Sequence, residues 1–171
     1  DFQFTLLAAS VWPTKFLDDI QRFCLDVGDN ATAYTNWEML TLAIQIFLGG
    51  WTSANYAALA CGTDFPKCAG QWWPPHDFRE GFVLWRGIGV DYEGGVLDGA
   101  SRIAIQLAHR MMAVVVFVYL LWMALKLIRT PGLWLTGVVL GLLLLAQVGL
   151  GIANVVLGLP LWAAVMHNAG A

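Results

Sequence analysis

The chain has 171 residues, 58% of them hydrophobic and 12% charged, with a mean hydropathy of +0.64 and a formal net charge of −3. A soluble domain carries about 25% charged residues, roughly twice this share. No Asp, Glu, Lys or Arg occurs from Met39 to Gly62, from Met111 to Leu125 or from Thr130 to Ala171. Uncharged runs of that length read as membrane spans, so the chain reads as an all-α membrane protein. The expected architecture is a transmembrane helical bundle of three full spans and a truncated fourth, with a long outer loop between the first two. No basic run points to nucleic acid, and membrane lipid is the expected surrounding. The chain starts at Asp1 and its last residues, MHNAGA, stop inside a span, so it is expected to be a piece of a longer protein. It carries no basic start and short apolar run of a cleavable signal peptide.

Residues 1–36 form an unassigned N-terminal segment. Phe16, Leu17, Ile20, Phe23, Cys24 and Val27 follow helical spacing, with Asp18, Asp19, Arg22 and Asp26 largely opposite. That pattern predicts an amphipathic surface helix over 14–27, ended by GDNAT. A poorly ordered leader is the competing reading.

Residues 37–171 form the membrane part, with spans at about 37–60, 102–128, 132–158 and 160–171 and an outer loop over 61–101. Span one, WEMLTLAIQIFLGGWTSANYAALA, can place Trp37 at one interface and Trp51 and Tyr56 towards the other. Gly49 and Gly50 allow close helix contact, and Gln45 and Asn55 are expected to hydrogen-bond to neighbouring helices. In the loop, Trp72, Trp73, Phe78, Phe82 and Trp85 can lie at the membrane surface as a lid. Its length argues for a function of its own. Span two, from Ser101 to Arg129, holds about 23 mostly apolar residues, enough at ~1.5 Å each to cross ~30 Å of hydrocarbon. Span three carries Gly137 and Gly141 as a Gly-xxx-Gly face, and Gly158, Leu159 and Pro160 break it.

Lys126 and Arg129, with no acid beside them, place the turn between spans two and three in the cytoplasm. The Cys-bearing loop is then outside. The segment up to Glu38, with six acids and two bases, falls inside, a weak counter-signal because acids count little in the rule.

His109 and Arg110 sit inside span two, where ionisable groups are costly and need a partner or a purpose. In this topology His109 and His167 each lie about seven residues in from the outer face, roughly 10 Å deep by the helical rise, on helices running the same way. Equal depth on parallel helices suits axial ligation of a flat macrocycle, a haem, by two imidazoles. The competing reading is that each histidine hydrogen-bonds within the bundle. Arg110 can pair with a haem propionate, snorkel, or pair with a loop acid. His76, after WWPP, reads as a surface group.

Cys61 and Cys68, with six residues between them, face an oxidising compartment and read as a disulfide worth ~2 kcal/mol to the loop. A structural staple and a redox-active or haem-handling role both remain open. Cys24 is left unpaired. No CxxCH attachment motif occurs, so any haem is held without thioether links.

LGGWTSANYAALAC, FPKCAGQWWPP, LAHRMMA, QVGLGIANVVLGLPL and AVMHNAGA together resemble the heme A synthase family, specifically its C-terminal half, over about Leu40 to Ala171. The resemblance implies eight spans in two four-helix halves and oxidation of the haem O methyl group to the formyl of haem A for cytochrome oxidase. It implies haem B in this half, with His109 and His167 as axial iron ligands for electron relay. Catalytic residues and the substrate haem would belong to the N-terminal half, so this chain alone is expected to be incomplete and inactive. Implied partners are that N-terminal half, haem O and haem A, and haem O synthase or cytochrome oxidase assembly. The implied location is the bacterial inner membrane with the Cys-bearing loop periplasmic. Residues 1–36 do not look like the family's preceding span, and Met111 and Met112 stand where a Leu-Gly-like pair is expected. Two other classes compete. A bis-His membrane b-type electron-transfer cytochrome needs neither a partner half nor an outer disulfide. A membrane thiol-disulfide oxidoreductase usually needs a second Cys pair.

Overall fold

The computed structural model describes residues 31–85 and 96–170. The amphipathic helix expected over 14–27, with Cys24, lies outside the described residues. The described residues form five helices: α1 (Ala31–Ala54), α2 (Phe78–Gly81), α3 (Gly99–Arg129), α4 (Trp134–Val156) and α5 (Leu161–Ala169). No strand occurs among them, and one isolated bridge pairs Cys68 with Gln71.

Both α3, with 31 residues, and α4, with 23, are long and apolar enough to cross a membrane. Only 22% of each apolar window is buried. A core helix of a soluble protein would hide such residues, whereas Val114, Val118, Leu142 and Leu145 all face outwards here. That outward face suits hydrocarbon as solvent, because all backbone polar groups of a helix are satisfied within it.

The expected first span differs from expectation at both ends. Its helix begins at Ala31 and stops at Ala54, six residues before the predicted Ala60. The stop is local: Asn55 Nδ2 donates to the Trp51 carbonyl at 2.9 Å, and Tyr56 takes φ 52°. A short amide that bonds its own backbone offers an alternative to the helix ladder. The expectation that Asn55 reaches a neighbouring helix is therefore corrected: it turns back on its own. α4 and α5 lie within the predicted spans, separated by Gly158 and Leu159 at φ 70° and 65° before Pro160. Proline disfavours helical backbone in the residue before it, so the break at Leu159 follows from the sequence.

The chain divides into two compact units. One comprises the start of α1 to Thr41 and Val118–Leu144. Its core is the α3–α4 hairpin, where buried Met123, Ala124, Leu127 and Leu140 pack with Leu120 and Leu133. The turn uses Thr130, whose Oγ1 donates to the Lys126 carbonyl at 3.0 Å, and Gly132 at φ 84°. A Cβ on Gly137 would lie 2.6 Å from Ile128 N and 2.7 Å from Ala124 O, so the two backbones touch there. Gly141 is different: its Cβ would meet Ala124 at an ordinary 3.9 Å. Of the Gly-xxx-Gly pair, Gly137 alone is required by this contact.

The other unit comprises Leu42–Phe117 and Leu145–Ala171. The loop forms a collar around the first turns of α3 rather than a loose lid. Asp98 caps the helix, its Oδ1 accepting from Ser101 N at 2.8 Å. Asp77 N donates to the Ala100 carbonyl and seats α2 on α3. The approach is close, since a Cβ on Gly81 would stand 2.8 Å from Ser101 O. Trp51 of α1 completes the junction by donating from Nε1 to the Gly81 carbonyl at 3.0 Å. Beneath it Ala57, Leu97 and Ile105 are buried with Trp51 and Phe82 against them. Cys61 and Cys68, with sulfurs at disulfide distance (2.02 Å), pack against Leu107 and Ile103. The start of α3 is thus gripped by the collar within one turn of His109.

Candidate functional site

His109 and His167 lie in the same unit, on α3 and α5. Both imidazoles are half-buried. His109 Nδ1 lies 3.3 Å from the side-chain amide of Gln45 on α1. His167 Nδ1 lies 3.1 Å from the Gln147 backbone carbonyl on α4, and Gln147 Nε2 donates to the His167 carbonyl at 2.7 Å. A carbonyl only accepts, so His167 Nδ1 carries the proton and Nε2 keeps its lone pair. That tautomer presents a metal-ligating nitrogen, with its ring fixed by the other one.

Each ring also rests on a glycine. A Cβ on Gly49 would stand 3.4 Å from His109 Cε1, and one on Gly151 would stand 3.0 Å from His167 Cε1. Glycine leaves room for an imidazole to lie against helix backbone. Gly170 serves the second seat too, because a Cβ there would come within 2.5 Å of Gln147 Oε1.

Arg110 goes to the collar. Its two terminal nitrogens donate to the Lys67 carbonyl at 3.0 Å and the Asp64 carbonyl at 3.4 Å, and its guanidinium lies 5.9 Å from the Phe65 ring centroid. Of the alternatives left open by sequence, the structure shows a loop contact, made with backbone carbonyls rather than a carboxylate. Its buried Nε has no hydrogen-bond partner among the described residues. Among the described residues, Gln45 Oε1, Gln106 Oε1 and Asn154 Oδ1 are likewise buried without a hydrogen-bond partner.

His76 is not a free surface group. Its Nδ1 lies 2.8 Å from the Pro74 carbonyl, and its ring meets Trp73 and Phe78 edge-on at 4.6 and 4.7 Å. Phe82 stacks on Phe78 at 6.4 Å, so the expected lid is an aromatic ladder on the loop. Trp72, Trp73 and Trp85 remain exposed. An open depression of about 330 Å³ is lined by Asp64, Phe65, Pro66, Lys67, Gly70 and Trp72, and neither ligand-candidate histidine borders it.

Among the described residues, no group of three or more His, Cys, Asp or Glu could cage a metal ion. An iron held here by two imidazoles would need its remaining ligands from a macrocycle. Sequence inspection expected Gln45 to hydrogen-bond to a neighbouring helix, as it does at His109, and missed Gln147 and Gly151. The available signal was a shared spacing, Gln45 with Gly49 and Gln147 with Gly151, each i and i+4 on one helix face.

Residues 4–171 match the family model described as cytochrome oxidase assembly protein, COX15-CtaA, a match that reaches into the N-terminal segment left unassigned above. The chain is 44% identical over 133 residues to a heme A synthase of Shewanella oneidensis, an alignment covering 78% of this chain and 40% of that protein. The chain therefore spans less than half the length of that relative. No solved structure matches. With two helices built to cross a membrane and a family match over almost its whole length, the chain is an integral membrane protein of the heme A synthase, or COX15-CtaA, family.

Proposed function

We propose that this chain is the haem B-holding half of a heme A synthase, an oxidoreductase converting haem O to haem A. The carrying observation is the pair of imidazoles in one unit, each with Nδ1 at a Gln and its ring on a glycine. The residues fit the group: a His167 tautomer with a free Nε2, a second imidazole at His109, and small-residue notches beside both rings. His109 and His167 would hold the haem, which would supply one-electron chemistry when bound.

The chain's own residues orient and shield. The Gln147 carbonyl fixes the His167 tautomer, and the Cys61–Cys68 collar, clamped by Arg110, braces the helix turn that carries His109. Arg110 Nε remains available for a propionate, a supporting role beside its loop contacts. Substrate oxidation, with its catalytic residues, belongs to the N-terminal half of the full enzyme. In this reading Lys126 and Arg129 face the cytoplasm, and the collar faces the periplasm of a bacterial inner membrane.

The test is the reduced-minus-oxidised visible spectrum of the detergent-purified chain reconstituted with haem B, beside His109→Ala and His167→Ala. A low-spin b-type spectrum lost in either variant is the expected result. A well-folded chain, by circular dichroism, that takes up no haem overturns the proposal.

A further inference from the structure

The two histidines are held in similar seats with one chemical difference. On α1 and on α4 a glutamine stands four residues before a glycine, and the pair receives an imidazole from a neighbouring helix. At His167 the acceptor is the Gln147 backbone carbonyl, which no side-chain substitution removes. At His109 it is the Gln45 side-chain amide, which can present either face.

The two faces have opposite consequences. With Gln45 Nε2 towards His109 Nδ1, the ring nitrogen must accept, its proton sits on Nε2, and that nitrogen cannot ligate iron. Gln45 Oε1 is then buried with no hydrogen-bond partner among the described residues. Rotation of the amide by half a turn brings Oε1 onto Nδ1–H, gives the oxygen its partner and leaves Nε2 with a free lone pair. Amide oxygen and nitrogen exchange places in this half-turn, so Gln45 Nε2 then takes the buried position that Oε1 leaves.

We infer that Gln45 is a positioning residue for the haem site: its amide oxygen selects the iron-ligating tautomer of His109 and sets the basicity of that ligand. The inference rests on the bis-histidine haem reading above. It makes the two axial ligands unequal, one tuned by a replaceable side chain and the other by backbone. A stronger acceptor on Nδ1–H makes the imidazole a better donor and favours ferric over ferrous iron.

The experiment is a redox titration of the full chain loaded with haem B, for the parent, Gln45→Glu, Gln45→Leu and Gln147→Leu, with His109→Ala alongside. The expected midpoint potential falls in Gln45→Glu, rises in Gln45→Leu and stays at the parent value in Gln147→Leu, which instead loses haem more readily. Low-spin electron paramagnetic resonance g values move with Gln45 in the same order. A purely structural role for Gln45 would change haem retention but leave both readouts in place. Parent midpoints in both Gln45 variants, with the b-type spectrum intact and absent from His109→Ala, overturn the inference while leaving the haem reading standing. A low-spin spectrum that survives in His109→Ala overturns the haem reading and this inference with it.

Discussion

The hairpin core and the histidine-bearing unit solve different problems with the same residue types. Over Val118–Leu144 the buried side chains are almost all apolar, and one glycine, Gly137, brings two backbones into contact. Elsewhere, over Leu42–Phe117 and Leu145–Ala171, glycines at 49 and 151 make room for imidazoles instead. Among the described residues, that unit also holds buried polar atoms left without hydrogen-bond partners, among them Gln45 Oε1, Gln106 Oε1, Arg110 Nε and Asn154 Oδ1. A buried unpaired polar group is costly, and natural folds keep few of them. Their concentration in one unit sets it apart from the hairpin core.

Substitutions sharpen this contrast, the largest effect coming from the hairpin. Gly137→Leu drives a side chain into the α3 backbone and is expected to cost about 3 kcal/mol, read as thermal unfolding in detergent. Gly141→Ala, with ordinary contact only, is expected to stay within about 0.5 kcal/mol of the parent. Equal effects at the two positions would break the assignment of the close contact to Gly137.

Next is the seat of His167. Gly151→Ala puts a methyl 3.0 Å from the ring and should weaken haem B retention about 10-fold, the scale of lost support around a metal ligand. Gly49→Ala, at 3.4 Å, should act in the same direction and less. Apo-protein competition for haem measures both. If neither glycine matters, the rings are not held where the seats place them.

Smaller again is Arg110→Lys. A single ammonium cannot reproduce the fork that reaches both Lys67 and Asp64 carbonyls, and about 1 kcal/mol of local stability should go with it. The readout is faster amide hydrogen exchange over Cys61–Gly70, with the hairpin amides unchanged. A uniform change across both units would mean that Arg110 braces more than the collar.

The smallest effect is a pH dependence. The Ser101 backbone N–H, with Arg102, holds the Asp98 carboxyl below the usual carboxylate value. A group whose folded pKa is depressed contributes stability above its unfolded pKa and loses it as pH falls through the folded one. Fraying of the first turn of α3 should therefore begin only below the ordinary carboxylate range, and Asp98→Asn should abolish that pH dependence.

Much of this protein was legible without its structure. Uncharged runs announce helices because hydrocarbon tolerates no unpaired backbone, and α3 and α4 fall within about three residues of their predicted ends. The end of α1 was misplaced because apolar composition continues past Asn55, while the stop is a side chain bonding its own backbone. Cys61 and Cys68 were readable as a pair because their short separation leaves little freedom of partner.

What the sequence by itself determined was which residues occupy helices and which few polar groups those helices must bury. What tertiary structure decided was who meets whom. His109 finds Gln45 from 64 positions away, and Arg110 finds Lys67 and Asp64 from 43 and 46. Periodicity specifies the face on which a side chain lies and says nothing of what lies opposite it. Only packing brings a glycine notch, a ring and an amide to the same place, so the seats became visible when the helices were set together.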